Sequence, residues 1–330
     1  MMLKVIPVEK AIGTLLAHDV TEIVPGKHKR PAFRRGHRVT SGDVPKLLDI
    51  GKAHLYVMEL EEGELHEEDA ARRLALTSSG PHIRLTEPME GRVNLVAEIS
   101  GLLKIDKELL YRFNALGNLI LSTLPSNQYV KEGEVVAGTR TIPVVVNKDL
   151  VEQAEAICKD KPIVTILPLP SRRIHLIVTG SEVISGRIKD GFEPVVRRKV
   201  KGMGSDLETT KFAPDDPDQI AAYIRESHRD GVDLILVSGG MSVDPDDQTP
   251  EGIRRSGASV ECHGFPVLPG SMFLMAYLQG TPILGLSGCV LHDPVSAFDL
   301  LLPQLLAGEK ISRSDILALG HGGLQKKHDH

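Results

Sequence analysis

The sequence predicts an α/β protein whose second half is a three-layer domain, a mostly parallel sheet with helices on both faces, preceded by smaller α+β and β-rich segments. Two observations carry this expectation. From Ile174 onward, short apolar runs alternate with amphipathic stretches in the strand–helix–strand order of βαβ units. Two of these runs, over 174–178 and 233–237, end in the glycine turns Thr179-Gly180-Ser181-Glu182 and Ser238-Gly239-Gly240-Met241-Ser242. An apolar strand followed by such a turn presents a binding edge at the carboxyl end of a parallel sheet.

Taken in order, residues 1–75 read as an α+β segment, with short apolar runs such as Ala53-His54-Leu55-Tyr56-Val57-Met58 and a helix over 44–50. A cationic cluster lies here: Lys27, His28, Lys29, Arg30, Arg34, Arg35, His37 and Arg38. It is either a solvated face or a wall for a phosphate or an acidic partner. Residues 76–165 read as a β-rich domain: near-alternation predicts a strand over 92–99, with further turn and strand signals over 131–146. A short amphipathic helix follows over 150–159, and the prolines of 162–170 read as a linker, because proline removes donors and stiffens the chain.

The third segment, 166–330, carries the alternation. Strand 174–178 leads to a helix over 192–203 and a strand over 206–212. Asp216 before Pro217 is an acid cap with proline at the first helical position, opening a helix to about 229. Strand 233–237 precedes a second such start at Thr249-Pro250. Strand 258–263, helix 271–278, strand 282–286 and helix 294–306 complete the pattern, and 321–330 reads as a frayed tail.

Length and composition narrow the function classes. A chain of 330 residues is long enough for two or three domains, and its 41% apolar and 25% charged content is that of an ordinary globular protein. A net charge of −5, 4% aromatics and no Trp argue against nucleic acid as a partner. The three cysteines, Cys158, Cys262 and Cys289, form no CxxC pair, which argues for a reducing compartment and against structural zinc. Neither a signal-peptide core nor a run of about 20 apolar residues is present, so a cytoplasmic protein without a membrane span is expected.

The candidate chemistry sits at strand ends. Turns 179–182, 238–242 and 287–289 should gather on one sheet edge, where glycines let backbone amides approach an anion. Ser181, Ser238, Ser242 and Ser287 add hydroxyls. Asp244, Asp246 and Asp247 fall within four residues, and crowded carboxylates repel unless solvated, protonated or shared with a cation such as Mg²⁺. The alternative is an Asp-rich turn in which Asp247 caps the next helix. Asp190 and Glu182 follow the first strand and fit a structural or a binding role. His175 and His263 read as packed core histidines, and Met241, Met272 and Met275 as core or pocket lining. Cys289 has no obvious base beside it in sequence and is not a proposed nucleophile.

These pieces form a pattern. Thr179-Gly180-Ser181-Glu182, Gly186-Arg187-Ile188-Lys189-Asp190, Ala213-Pro214-Asp215-Asp216, Gly239-Gly240-Met241-Ser242, Asp247-Gln248-Thr249-Pro250-Glu251, Pro269-Gly270 and Leu286-Ser287-Gly288-Cys289 occur in one order. With them, residues 174–307 resemble the molybdopterin-binding domain shared by molybdopterin adenylyltransferases, molybdopterin molybdotransferases and the competence/damage-inducible proteins. The run Gly13-Thr14-Leu15-Leu16-Ala17-His18-Asp19-Val20 is similar to the opening of the molybdotransferases. The resemblance implies a ligand, molybdopterin or its adenylylated form, with Mg²⁺ and molybdate near the acids. It implies catalytic roles for Asp190, Asp244 and Asp247, and metal ligation by Asp244, Asp246 and Asp247. Ligand-binding roles would fall to Thr179, Gly180, Ser181, Glu182 and the Ser238–Ser242 turn (Ser238, Gly239, Gly240, Met241, Ser242). Thr249, Pro269, Gly270, Ser287, Gly288 and Cys289 would complete the set.

The chain departs from the molybdotransferase pattern in places. Ser181 stands where the turn usually carries an acid, Ser287-Gly288-Cys289-Val290 replaces a Pro-Gly-Asn-Pro turn, and the motif "S-x-x-D-G-Y-A" is missing, with Pro31-Ala32-Phe33-Arg34-Arg35-Gly36 near its place. No further domain is expected after Leu306. The function these features imply is metal insertion into, or handover of, a bound pterin in molybdenum cofactor biosynthesis. The alternatives are a Mg²⁺-dependent nucleotide pyrophosphatase and a non-enzymatic cofactor carrier or sensor. Implied partners are other cofactor-assembly proteins or a molybdoenzyme, and a homo-oligomer follows from the resemblance alone.

Overall fold

The computed structural model describes residues 2–24, 28–89, 91–242, 244 and 247–325. The chain divides into two compact units: one of residues 1–98, 104–126 and 132–166, the other of 99–103, 127–131 and 167–330.

The first unit is α+β. An antiparallel three-stranded sheet joins Met2–Pro7, His54–Glu59 and Leu15–Leu16, and the helix Asp43–Asp49 places Leu47 in a core with Val8, Leu16, Val39 and Val57. A second antiparallel sheet orders Leu119–Thr123, Val135–Thr141, Arg92–Ala97 and Ile83–Leu85. Helices Glu67–Ser78, Lys107–Asn114 and Lys148–Cys158 complete the unit. Asp106 and Asn147 cap the second and third by accepting from Leu109 N and Asp149 N, as short polar residues do before a helix. The expected linker over 162–170 is instead a strand, Val164–Pro168. Its prolines fall at the edges, while buried Val164 and Ile166 alternate with more exposed residues, and Gly80 N donates to Val164 O.

Three members of the cationic cluster have acidic side chains beside them within this unit. Arg30 lies 3.5 Å from Glu22, His37 2.8 Å from Asp43, and Arg38 3.0 Å from Asp69. Lys27, and the side chains of His28 and Lys29, fall outside the described residues.

The second unit carries a six-stranded sheet. Its strands are β1 (Arg173–Thr179), β2 (Asp206–Ala213), β3 (Leu234–Ser238), β4 (Ser259–His263), β5 (Leu274–Leu278) and β6 (Thr281–Leu286), in the order β2-β1-β3-β6-β5-β4. Strands β2, β1, β3 and β6 run parallel, and β5 and β4 add an antiparallel edge. The central strands β1 and β3 are buried on both faces, hence their continuous apolar sequence, whereas the edge strand β2 is largely polar and only partly buried. On one face, α2 (Phe192–Lys201), α6 (Ala297–Leu306) and α7 (Arg313–Ala318) bury Val196, Phe298, Leu302 and Ile316 against Ile174, Leu176 and Leu236. On the other, α3 (Pro217–Arg229) and α4 (Thr249–Arg255) bury Ile220, Ile224 and Ile253 against Ile177, Ile235 and Val237. Single turns, α1 (Ser181–Ile184) and α5 (Cys289–His292), follow β1 and β6 directly. The three-layer expectation holds.

Four details differ from the sequence reading. The helix expected over 271–278 is β5, because Phe273-Leu274-Met275-Ala276 is a short run buried throughout and Gln279-Gly280, both at positive φ, turn it back into β6. His263 is exposed rather than packed, whereas His175 is buried with Nδ1 3.0 Å from Ser227 Oγ. Part of the supposed tail is tied down: Leu268 N donates to Gly323 O and Gln325 N to Leu268 O. Helix α7, which has a Ser312–Asp315 capping box, was not expected from periodicity because it is six residues long. Among the described residues no helix is long and apolar enough to cross a membrane, and all three cysteines are free thiols.

Candidate functional site

Strand order fixes where a ligand can enter. The chain leaves β1 for β2 on one side and returns for β3 on the other, so the sheet's order reverses between β1 and β3. At such a switch point the helices part and open a crevice at the carboxyl ends of the strands. The turns that end β1, β3 and β6 all meet there.

The crevice has two lobes that share Phe192, Gly239, Gly240 and Asp247. One is a cavity of about 470 Å³ whose walls are almost free of charge: Met241 and Ser242 after β3, Pro269 and Gly270 before β5, and Ser287, Gly288 and Cys289 after β6. The other, about 540 Å³, is lined by Thr179, Gly180 and Glu182 after β1, with Asp190, Asp215, Asp244 and Asp247. Five carboxylates against the single ammonium of Lys189 make this second lobe strongly negative.

The glycine turn between the lobes is dictated by a close approach. Gly239 has φ +90°, and a Cβ there would lie 2.3 Å from the Thr179 carbonyl oxygen. Only glycine adopts both the conformation and the contact. Beneath it, Thr179 Oγ1 donates to Ser238 O at 3.1 Å and lies 3.0 Å from Thr249 Oγ1, so Thr249 is the donor of that pair. This buried hydroxyl pair ties β1, β3 and α4 together under the turn. Ser238 is in register with Val178 and Leu286, which both line the crevice, and its own Oγ is buried with no hydrogen-bond partner among the described residues.

The acids are held in place by backbone amides. Asp190 accepts from Phe192 N at 2.8 Å and Glu193 N at 3.0 Å, capping α2. Asp215 accepts from Ser181 N at 2.8 Å, and Asp247 Oδ2 from Asp244 N at 3.1 Å. Asp247 is therefore not the cap of α4; that position is Gln248, and the Asp247 carboxylate closes its own loop instead. Asp246 lies outside the described residues. Among the described residues no group of three or more potential ligands is placed to hold a metal. Asp244 and Asp247 are the described members of the expected metal set, and both line this lobe.

In the neutral lobe, Cys289 Sγ sits 3.0 Å from Ser287 Oγ, and burial pushes its thiol pKa up, so the thiol stays protonated at neutral pH. Of the sequence candidates, Ser238 and Thr249 are buried behind the crevice lining, Ser181 is exposed outside it with its N–H on Asp215, and the other described ones line it. Asp215, although part of the Ala213-Pro214-Asp215-Asp216 piece, was given no role at the site, and Phe192 was missed. Asp215 stands two residues after β2, a strand-end acid of the same kind as those that were noticed, while an aromatic residue at a helix start carries no sequence signal of its own.

Comparison with known proteins bears on both halves of the chain. Residues 175–307 match a family model described as "Probable molybdopterin binding domain", and residues 5–59 match a domain of unknown function. A molybdopterin molybdenumtransferase of Synechococcus elongatus is 26% identical over 217 residues, 60% of this chain and 51% of that protein. A CinA-like protein of Mycobacterium avium is 36% identical over 85 residues, 26% of this chain and 20% of that protein. The chain thus spans about half, or less, of the length of these curated relatives. Among solved structures, the molybdopterin biosynthesis enzyme MoaB of Thermus thermophilus matches 42% of this chain and 98% of its own, at 22% identity and a TM-score of 0.36. Residues 175–307, which build the sheet and both lobes of its crevice, are a member of the molybdopterin-binding domain family.

Proposed function

We propose that this protein binds molybdopterin, or its adenylylated form, in the two-lobed crevice and acts in molybdenum cofactor assembly as a molybdotransferase-like enzyme of the cytoplasm. The observation that carries the reading is the Gly239-Gly240 turn at the switch point, with a neutral donor-bearing lobe on one side and a carboxylate lobe on the other. A pterin with a phosphate needs a place for a flat neutral ring system and a place for a doubly charged anion and its counter-cation.

The residues divide the work accordingly. Gly239, Gly240 and Gly288 offer backbone amides without a Cβ in the way, and Ser242 and Ser287 offer hydroxyls, so the neutral lobe binds by hydrogen bonds rather than by charge. Met241, Met272 and Phe192 give apolar walls that exclude water from the ring face. Asp244 and Asp247 would hold Mg²⁺, which when bound supplies positive charge beside the ligand phosphate and the substrate molybdate. Asp190 and Asp215, fixed by the amides of α2 and Ser181, keep the field of this lobe negative and the loops that carry it closed.

The test is a fluorescence titration with molybdopterin and with its adenylylated form, each with and without Mg²⁺ and molybdate. Binding of the adenylylated form followed by AMP release on adding molybdate is the expected result. Binding of either form without release would assign the protein as a carrier. Absence of both, with hydrolysis of ADP-ribose in Mg²⁺, would replace this reading by the pyrophosphatase one, which the match to the CinA-like proteins keeps in view.

A further inference from the structure

The four-stranded sheet of the first unit has a face whose charges are not answered within the fold. Its strands, Leu119–Thr123, Val135–Thr141, Arg92–Ala97 and Ile83–Leu85, carry three arginines and no acidic residue, in a chain whose net charge is −5. Register puts all three arginines on one side. Arg92, Asn94 and Val96 alternate along one strand and so share a face. Arg140 pairs with Arg92, Gly138 with Asn94, and Arg84 with Val96. Like charges directly opposite each other on neighbouring strands repel. Among the described residues no carboxylate pairs with Arg84, Arg92 or Arg140.

A cavity of about 440 Å³ opens on this face, a size that suits a small ligand. Arg92 and Arg140 line it with Ser122, Gly138, Ile120 and Val135. Arg92 is held in place, because its Nε donates to Asn94 Oδ1 at 2.8 Å. Its guanidinium lies beside Gly138, with Nε 3.6 Å and Nη2 3.8 Å from the point a Cβ would occupy. The backbone does not demand this glycine: its φ lies outside the left-handed region, and the tightest contact of a Cβ would be 3.3 Å, to the Asn94 side chain. Gly138 nonetheless stands in an interior strand, where glycine weakens a sheet and marks a place that something approaches closely. Ser122, its cross-strand partner, adds an exposed hydroxyl. Ile120 and Val135, 38% and 46% exposed, add apolar wall.

We propose that this cavity binds a small organic oxyanion, a carboxylate or phosphate head on a short apolar or aromatic body. Guanidinium forks match both heads, and an anion held by Arg92 and Arg140 replaces their mutual repulsion with two charge-assisted pairings. Ser122 donates a further hydrogen bond, bare Gly138 leaves the floor open, and Ile120 and Val135 cover the apolar body. The arrangement favours such an anion over an acidic protein segment, since two arginines and two apolar side chains line one cavity while Arg84, the third arginine, is not part of its lining. All of these residues belong to the first unit, and the proposal does not depend on the reading of the crevice.

The experiment is isothermal titration calorimetry on the full chain at constant ionic strength, with phenyl phosphate, benzoate and inorganic phosphate as separate probes. The wild type should bind phenyl phosphate or benzoate more tightly than inorganic phosphate, and the better of the two identifies the head. Arg140→Gln removes one charge and Gly138→Val fills the floor; each should lose about tenfold or more in affinity, the scale of a lost charge-assisted contact. Circular dichroism checks that both variants are folded. Without anion, the thermal midpoint of Arg140→Gln should be no lower than that of the wild type, because the substitution removes a like-charge pair. Arg84→Gln, on the same face but outside the cavity lining, should keep wild-type affinity. No binding of either organic anion by the wild type, or affinity no greater than for inorganic phosphate, would overturn the proposal. So would an equal loss in Arg84→Gln, which would make this a diffuse basic face for an acidic partner.

Discussion

At Gly239 a single hydrogen atom decides whether the crevice exists. Gly239→Ala would drive a methyl group into the Thr179 carbonyl at a φ that L side chains rarely adopt. The expected cost is about 3 kcal/mol of stability, read as a lowered urea midpoint, together with loss of ligand binding. Ser238 should behave in the opposite way. Its hydroxyl is buried without a partner among the described residues, so Ser238→Ala relieves a desolvated group and should leave the unfolding midpoint unchanged or raise stability by about 1 kcal/mol. If the same variant also loses ligand affinity, the hydroxyl finds its partner only in the complex. For Asp247, Asp247→Asn keeps an oxygen to accept from Asp244 N while removing the charge. Binding should survive and turnover fall about a hundredfold, because the charge is needed most where negative charge develops on oxygen. Equal turnover would remove Asp247 from the mechanism. These residue-level roles were partly legible in the chain: the glycine turns and the acids announce themselves by type and spacing. Asp215 did not, because its importance comes from facing Ser181 across 34 positions of sequence, a proximity only folding creates.

Elements with a local signal were the readable ones. Helix α3 runs from Pro217 to Arg229 as the cap and proline predict, with Asp216 accepting from Asp218 N at 2.9 Å. Asp216→Ala should cost about 1 kcal/mol, and a thermal midpoint identical to wild type would show that tertiary packing alone starts the helix. The run over 271–278 was misread because five buried apolar residues satisfy a helix or a strand equally, and what decides is the partner. Here β6 lies alongside, and the Gln279-Gly280 turn brings the run back to it. Residues 162–170 were misread for a related reason: proline counts obscured the alternation of Val164 and Ile166, which bury one face of a strand. Local chemistry is visible in sequence; pairing is not.

For the whole molecule, the buried histidines set an acid limit. Burial lowers the pKa of His66 and of His175, whose Nε2 is enclosed without a partner among the described residues; Lys211 and Arg173 push His175 further down, and Glu208 and Asp230 push it up. A histidine whose folded pKa lies below its unfolded value leaves the unfolded chain holding more protons in the interval between them. Stability is therefore full above the unfolded value of about 6.5 and declines as pH falls through that interval. Asp43, Asp106 and Glu155, held below the usual carboxylate range, add a second loss at lower pH as they protonate. Urea denaturation at pH 7.5 and 5.5 should show the weaker fold at 5.5, and His175→Gln should flatten that difference. A stability independent of pH over this range would mean that neither ring is dry in solution.

The partition of the chain also governs how the protein can be made. Residues 99–103 and 127–131 belong to the second unit, although they are synthesised well before its sheet, and Tyr129 OH donates to Gly202 O, 73 positions away. On the ribosome these two short segments can pair with each other, Gly101–Leu103 against Gln128–Val130, but the rest of their unit is absent until 167–330 has been translated. A terminal fragment that begins at 167 would therefore lack pieces of its own unit. The growing chain meanwhile carries unpaired strand edges through the interval in which a chaperone would be of most use.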